Sequence, residues 1–142
     1  MIDRYSRKEI KSIWDDENKY SIWLNIELAA AEAMEKLKVI PKGISKKVKK
    51  KAKINVKRIL QIEEKVKHDV IAFLTSITEK VGNDAKYLHK GMTSSDVLDT
   101  CFNLQLKQSG EILLNALLKP KLIKKEEDQN RSKAYEVIEF LN

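Results

Sequence analysis

Apolar residues recur at helical spacing along most of the chain. Ser6 is placed to cap a short helix over "RKEIKSIW". Asp15 and Asp16 open a longer one that runs to Lys36, with Ile22, Ile26, Ala29/Ala30 and Ala33 forming its stripe. Pro41 and Gly43 punctuate the chain. Ser45 then caps "KKVKKKAK", where Ile44, Val48 and Ala52 supply a thin apolar edge. From Asn55 one long pattern follows, through Ile59, Ile62, Val66, Val70, Phe73 and Ile77, and it closes at Gly82 as a helix C-terminus does. A third long pattern covers Asp96 to Leu118 through Val97, Cys101, Leu104 and Ile112, with Gly110 inside it and Pro120 breaking it. No segment alternates with the period of a strand and no repeat is visible. The pattern predicts an all-α fold.

Composition supports that class and narrows the setting. The 142 residues suffice for a single core. Four glycines and two prolines leave few breaks, which favours long amphipathic helices. The lone cysteine, Cys101, excludes an intrachain disulfide and fits a reducing compartment. No apolar run approaches the roughly 20 residues that cross a bilayer, and "MIDRYSRKEIKS" lacks the apolar core of a secretory signal. A soluble, cytoplasmic protein with no membrane partner is expected. The net charge of +7 invites an anionic partner, but it comes from 24 lysines against four arginines. The basic run "KKVKKKAKINVKR" holds eight Lys or Arg in 13 residues. With Val48 and Ala52 in helical phase beneath the charge, a solvated face is the favoured reading. A nucleic-acid surface is the sharper one, and the run lacks the interleaved aromatics such a surface uses.

The polar chemistry gathers in "YLHKGMTSSDVLDT", Tyr87 to Thr100. An elaborate helix start explains part of it: Thr93, Ser94 or Ser95 caps, Asp96 meets the positive end, and Gly91 permits the turn before. One cap needs one hydroxyl, however, and three hydroxyls with His89 exceed that need. A helix N-terminus carrying spare hydroxyls is also an anion site. His68 in "KHDVIAF" falls on the side of its predicted helix away from the apolar stripe, so it is either a solvated histidine or one facing a cleft. Two histidines and one cysteine give no metal-ligand spacing, and no metal is expected. Arg4 and Tyr5 precede the first helix, where they could equally pack or sit in water.

Three separated stretches, "MIDRYSR", "KHDVIAF" and "YLHKGMTSSDVLDT", resemble in order and spacing the N-terminal region of adenylosuccinate lyase. "ENKYSIWLNIELAAAEAMEKLKVIP" is similar to its second helix, and the likeness covers about residues 1–118. The "HxGxTSSDV" pattern is common to the wider fumarase/aspartase superfamily, whereas "RYSR" with "KHDVIAF" narrows it to the purine enzyme. The resemblance implies the helical N-terminal domain of that superfamily over 1–110 and the start of its central helical domain over 111–142. It implies β-elimination of fumarate from adenylosuccinate, giving AMP, and from SAICAR, giving AICAR, without a cofactor. By the same likeness Arg4 and Tyr5 bind the nucleotide phosphate. Lys67, His68 and Asp69 line the substrate, with His68 in a supporting catalytic role. His89, Thr93 and Ser94 contact it. The family assembles as a homotetramer with composite active sites.

The departures bear on activity. The family's general acid is a histidine in a "GRTHG"-like motif, and this chain has none after His89. The general base is a serine near a "GSSxMPxKxNP" signature, which nothing here matches. "KKEEDQNRSK" departs from what the family places next, so the expectation is a truncated N-terminal part, inactive alone. The alternatives are a non-catalytic interaction module and, behind it, a basic nucleic-acid binder.

Overall fold

A computed structural model describes residues 6–141, and of residues 119–141 the backbone only. The chain divides into two compact units, 1–105 and 106–142. The elements are α1 (Lys8–Ile13), α2 (Asp16–Lys36), α3 (Ile44–Lys51), α4 (Val56–Val66), α5 (Asp69–Val81), a 3₁₀ helix (Gly82–Tyr87) and α6 (Ser94–Leu141). All are helical, as the pattern predicts.

The core of the first unit is built on three aromatic rings. Tyr20 and Trp23 of α2 meet edge to face at 5.2 Å between centroids, and Phe73 of α5 stacks on Tyr20 at 5.9 Å and takes Trp23 edge-on at 5.5 Å. Such offset and edge-on contacts suit the ring quadrupoles. Around them close Val48 of α3, Ile59 of α4, Val70, Ala72 and Ile77 of α5, and Val97 and Cys101 of α6, all buried. The buried face of α2 is Tyr20, Ile22, Trp23, Glu27, Leu28 and Ala31, which shares only Ile22 with the predicted stripe: Ala29 and Ala33 are exposed and Ile26 is half-buried. The two tryptophan-side turns carry more apolar area than the alanines, so they set which face turns inward.

At α1 and α3 the caps differ from expectation. Ser6 does not cap α1, whose N-cap is Arg7. Ser45 does not cap α3 either. That helix starts one residue earlier, after Gly43 with φ +91°, and its first N–H groups are taken by a carboxylate from α2. Glu35 accepts from Gly43 N at 2.8 Å and from Ser45 N at 2.6 Å, which pulls its pKa below the usual carboxylate value. These bonds need the ionised form. Because the folded value is lowered, the stabilisation is full above the unfolded carboxylate range and is lost as pH falls through the folded value. Glu35→Gln should therefore remove a measurable share of the acid limb in a plot of thermal midpoint against pH, leaving the neutral-side slope unchanged.

The pattern from Asn55 to Gly82 is two helices rather than one. Asn55 caps α4 by accepting from Arg58 N at 3.0 Å. The helix stops at Lys67, whose φ of +53° is left-handed, and His68 returns the chain to extended geometry before α5. Arg58 of α4 grips the Glu79 carboxylate of α5 through Nε and Nη2, tying the two helices across the turn. A lysine at a left-handed C-cap is strained where glycine would not be. Lys67→Gly should raise stability by about 0.5–1 kcal/mol in a denaturant titration, and Lys67→Val should lower it.

Helix α6 also differs. It continues through Gly110 and Pro120 to Leu141, where a break at Pro120 is predicted. A proline removes one hydrogen bond and crowds the preceding turn, but leucine, lysine, alanine and glutamate fill the turns around it, and these are strong helix formers. Its buried edge in the first unit runs Val97, Cys101, Gln105. Leu104 is 41% exposed. Gln105 holds the inward position because its amide donates to Ile13 O at 2.7 Å. Burial pushes the Cys101 thiol above its ordinary pKa. In the second unit Leu106, Leu113, Leu114, Leu117 and Leu118 are exposed.

Candidate functional site

The two polar segments singled out by sequence both sit where helices begin or end. Lys67 and His68 are the whole junction between α4 and α5, and Asp69 opens α5. Lys67 is exposed, and its backbone N–H closes α4 onto Glu63 O at 2.7 Å. His68 is the N-cap of α5, its Nδ1 facing the N–H of Ile71 at 3.5 Å and the Asp69 carboxylate at 3.5 Å. It is not on a helix side, as predicted, but on an open turn with its side chain 42% exposed. Asp69 Oδ1 accepts from the N–H of Val70 at 2.7 Å, a carboxylate placed at the positive end of α5.

The second segment leads into α6. Leu88 leaves the 3₁₀ helix, His89 takes a left-handed φ of +56° and Gly91 one of +71°. The cap of α6 is not a hydroxyl. Asp96 reaches back to accept from Thr93 N at 2.8 Å, half of a capping box. Thr93 and Ser95 are exposed and Ser94 half-buried, and none of the three hydroxyls has a partner among the described residues.

His89 has a partner that sequence reasoning missed. Glu27, on the buried face of α2, has a side chain with 0% exposure. Its carboxylate accepts from the backbone N–H of His89 at 2.6 Å and meets Nδ1 of the same residue at 2.7 Å. A carboxylate buried without donors costs several kcal/mol, and here one residue offers both. The signal was present: Tyr20, Trp23, Glu27 and Ala31 share one ridge, and an acid inside an apolar ridge demands a partner.

The structure thus joins His89 to Glu27 and Thr93 to Asp96. No hydrogen bond or ion pair links Lys67, His68 or Asp69 to His89, Thr93 or Ser94. Arg4 and Tyr5 lie outside the described residues. A cleft of about 1070 Å³ between α2 and α3, lined by Glu35, Lys36, Val39, Ile40 and Pro41 among others, includes none of the predicted site residues. Nor does a smaller one of about 330 Å³ along α5. Among the described residues no group of three His, Cys, Asp or Glu could hold a metal ion, and no helix is long and apolar enough to cross a membrane. On α3, Val48 is fully buried beneath the lysines, so the lysines from Lys46 to Lys51 are the outer face of a packed helix.

In fold the chain is similar to a fumarate lyase from Mesorhizobium sp. BNC1, with a TM-score of 0.64 at 23% identity over 72% of this chain and 26% of that one. The architecture is therefore that of part of a fumarate-lyase fold. No protein-family model matches. In sequence the chain is similar to two adenylosuccinate lyases: it is 46% identical to that of Thermotoga maritima and 45% identical to that of Bacillus subtilis, each over 117 residues. These matches take in 82% of the chain, which spans 27% of the length of either relative. Any 117-residue stretch of a 142-residue chain contains residues 26–117, so Glu27 and both polar segments fall inside the matched region.

Proposed function

We propose that the chain is the N-terminal part of an adenylosuccinate lyase and supplies one wall of a composite site that eliminates fumarate from adenylosuccinate and SAICAR. The observation that supports this best is 45–46% identity to two adenylosuccinate lyases over a 117-residue stretch that contains both polar segments. In this reading the unpartnered hydroxyls of Thr93 and Ser94, at the N-terminus of α6, hold an anionic group of the substrate. His89 and the Lys67–His68–Asp69 turn line the same substrate, and Arg4 and Tyr5 take the phosphate. The proton-transfer groups come from segments outside this chain. Mixing the purified chain with the remainder of the Bacillus subtilis enzyme tests the reading. Fumarate released by the mixture, and by neither part alone, supports it; a mixture that forms a complex yet releases none contradicts it.

The same reading assigns the exposed leucines of α6 to contact with further copies in a homo-oligomer of the family's kind, in the cytoplasm. Five exposed leucines between Leu106 and Leu118 exceed what an isolated helix leaves open to water. Light scattering should show association that rises with protein concentration, and Leu113→Lys with Leu117→Lys should suppress it. A monomer at all concentrations would contradict that assignment.

A further inference from the structure

His89 is held in a conformation that its own backbone disfavours. A left-handed φ of +56° is disfavoured for a residue with a Cβ, and such strain persists only where surroundings over-determine it. Here the determinant is one carboxylate. Glu27 takes the His89 N–H at 2.6 Å and Nδ1 at 2.7 Å. The first contact fixes the backbone and the second fixes the ring. An ionised carboxylate only accepts hydrogen bonds, so Nδ1 must carry a hydrogen. The other ring nitrogen, Nε2, has no partner among the described residues.

We propose that Glu27 is a positioning residue for the site: its buried carboxylate fixes the Nδ1–H tautomer and the orientation of His89, so that Nε2 is the nitrogen offered to substrate. The part concerning substrate rests on His89 lining the site as read above; the tautomer does not. A carboxylate behind an imidazole commonly sets its tautomer in this way. His68 is held less tightly: its Nδ1 lies 3.5 Å from both the Ile71 N–H and the Asp69 carboxylate, and its side chain is 42% exposed.

The chain contains two histidines, so their ring nitrogens can be assigned in a long-range ¹H–¹⁵N spectrum of the labelled chain. At alkaline pH, where both imidazoles are neutral, His89 should give the resolved pattern of the Nδ1–H form, although free histidine favours Nε2–H. In Glu27→Gln the amide oxygen keeps the backbone N–H while its NH₂ faces Nδ1. His89 should then switch to the Nε2–H form, and Glu27→Asp should retain the wild-type pattern in part. Averaged or Nε2–H signals for wild-type His89 would overturn the proposal, as would a folded Glu27→Gln chain with the tautomer unchanged. Should Glu27→Gln not fold, the wild-type spectrum still decides. None of these spectra requires catalysis, so a mixture that releases no fumarate while His89 shows the Nδ1–H form would fault the functional reading and leave the Glu27 contact standing.

Discussion

Purified alone, the chain should release no fumarate from adenylosuccinate beyond a buffer control. Its histidines are His68 and His89, one the exposed N-cap of α5 and the other bound through Nδ1 to Glu27. No hydrogen bond or ion pair joins their two segments, so the two histidines do not form an acid–base pair with each other. A positioned acid or base supplies about 10²–10⁴-fold each, and the loss of both compounds with the loss of the surfaces that orient substrate. The assay is fumarate absorbance with enzyme prepared from a host lacking its own lyase. Turnover of the order of 1 s⁻¹ or above, the ordinary enzymatic range, would show that this chain holds a complete site.

The second large effect separates two roles at the start of α6. The cap is the Asp96 carboxylate on Thr93 N, whereas the Thr93, Ser94 and Ser95 hydroxyls have no partner among the described residues. Asp96→Ala should therefore lower stability by about 1 kcal/mol. Thr93→Ala and Ser94→Ala should leave it within about 0.5 kcal/mol, the ordinary range for surface substitutions. In the reconstituted enzyme the order reverses. A hydrogen bond to a charged group contributes about 1.5–3 kcal/mol, so losing either hydroxyl should lower kcat/KM roughly ten- to hundredfold. If the hydroxyl variants lose stability instead, they serve the helix and not the substrate.

The all-α class was legible because apolar positions keep helical spacing from end to end. The same regularity concealed the α4–α5 junction. Ile59, Ile62, Val70, Phe73 and Ile77 are buried in one phase, and Val66 keeps that phase although it is 43% exposed. A period that runs through a break cannot reveal it; the polar triplet Lys67-His68-Asp69 was the local sign. On α2 the predicted stripe began at Ile22 and placed Glu27 outside it, so the carboxylate behind His89 went unseen. Pro120 was read by its local cost alone, and the strong helix formers around it outweigh that cost. The two polar segments themselves were visible as residue types without a packing role. That the Asp96 carboxylate, and no hydroxyl, takes the Thr93 N–H depends on where Asp96 points, and spacing does not encode that.

The central claim is that these segments handle the substrate of an adenylosuccinate lyase. Its most direct measurement is kcat/KM, per assembled site, for the chain mixed with the complementary part of the Bacillus subtilis enzyme, wild type against Ser94→Ala. The account predicts fumarate release by the wild-type mixture and a ten- to hundredfold fall for Ser94→Ala at an unchanged thermal midpoint. Equal kcat/KM for the two, or a fall that merely follows a lowered midpoint, would contradict it.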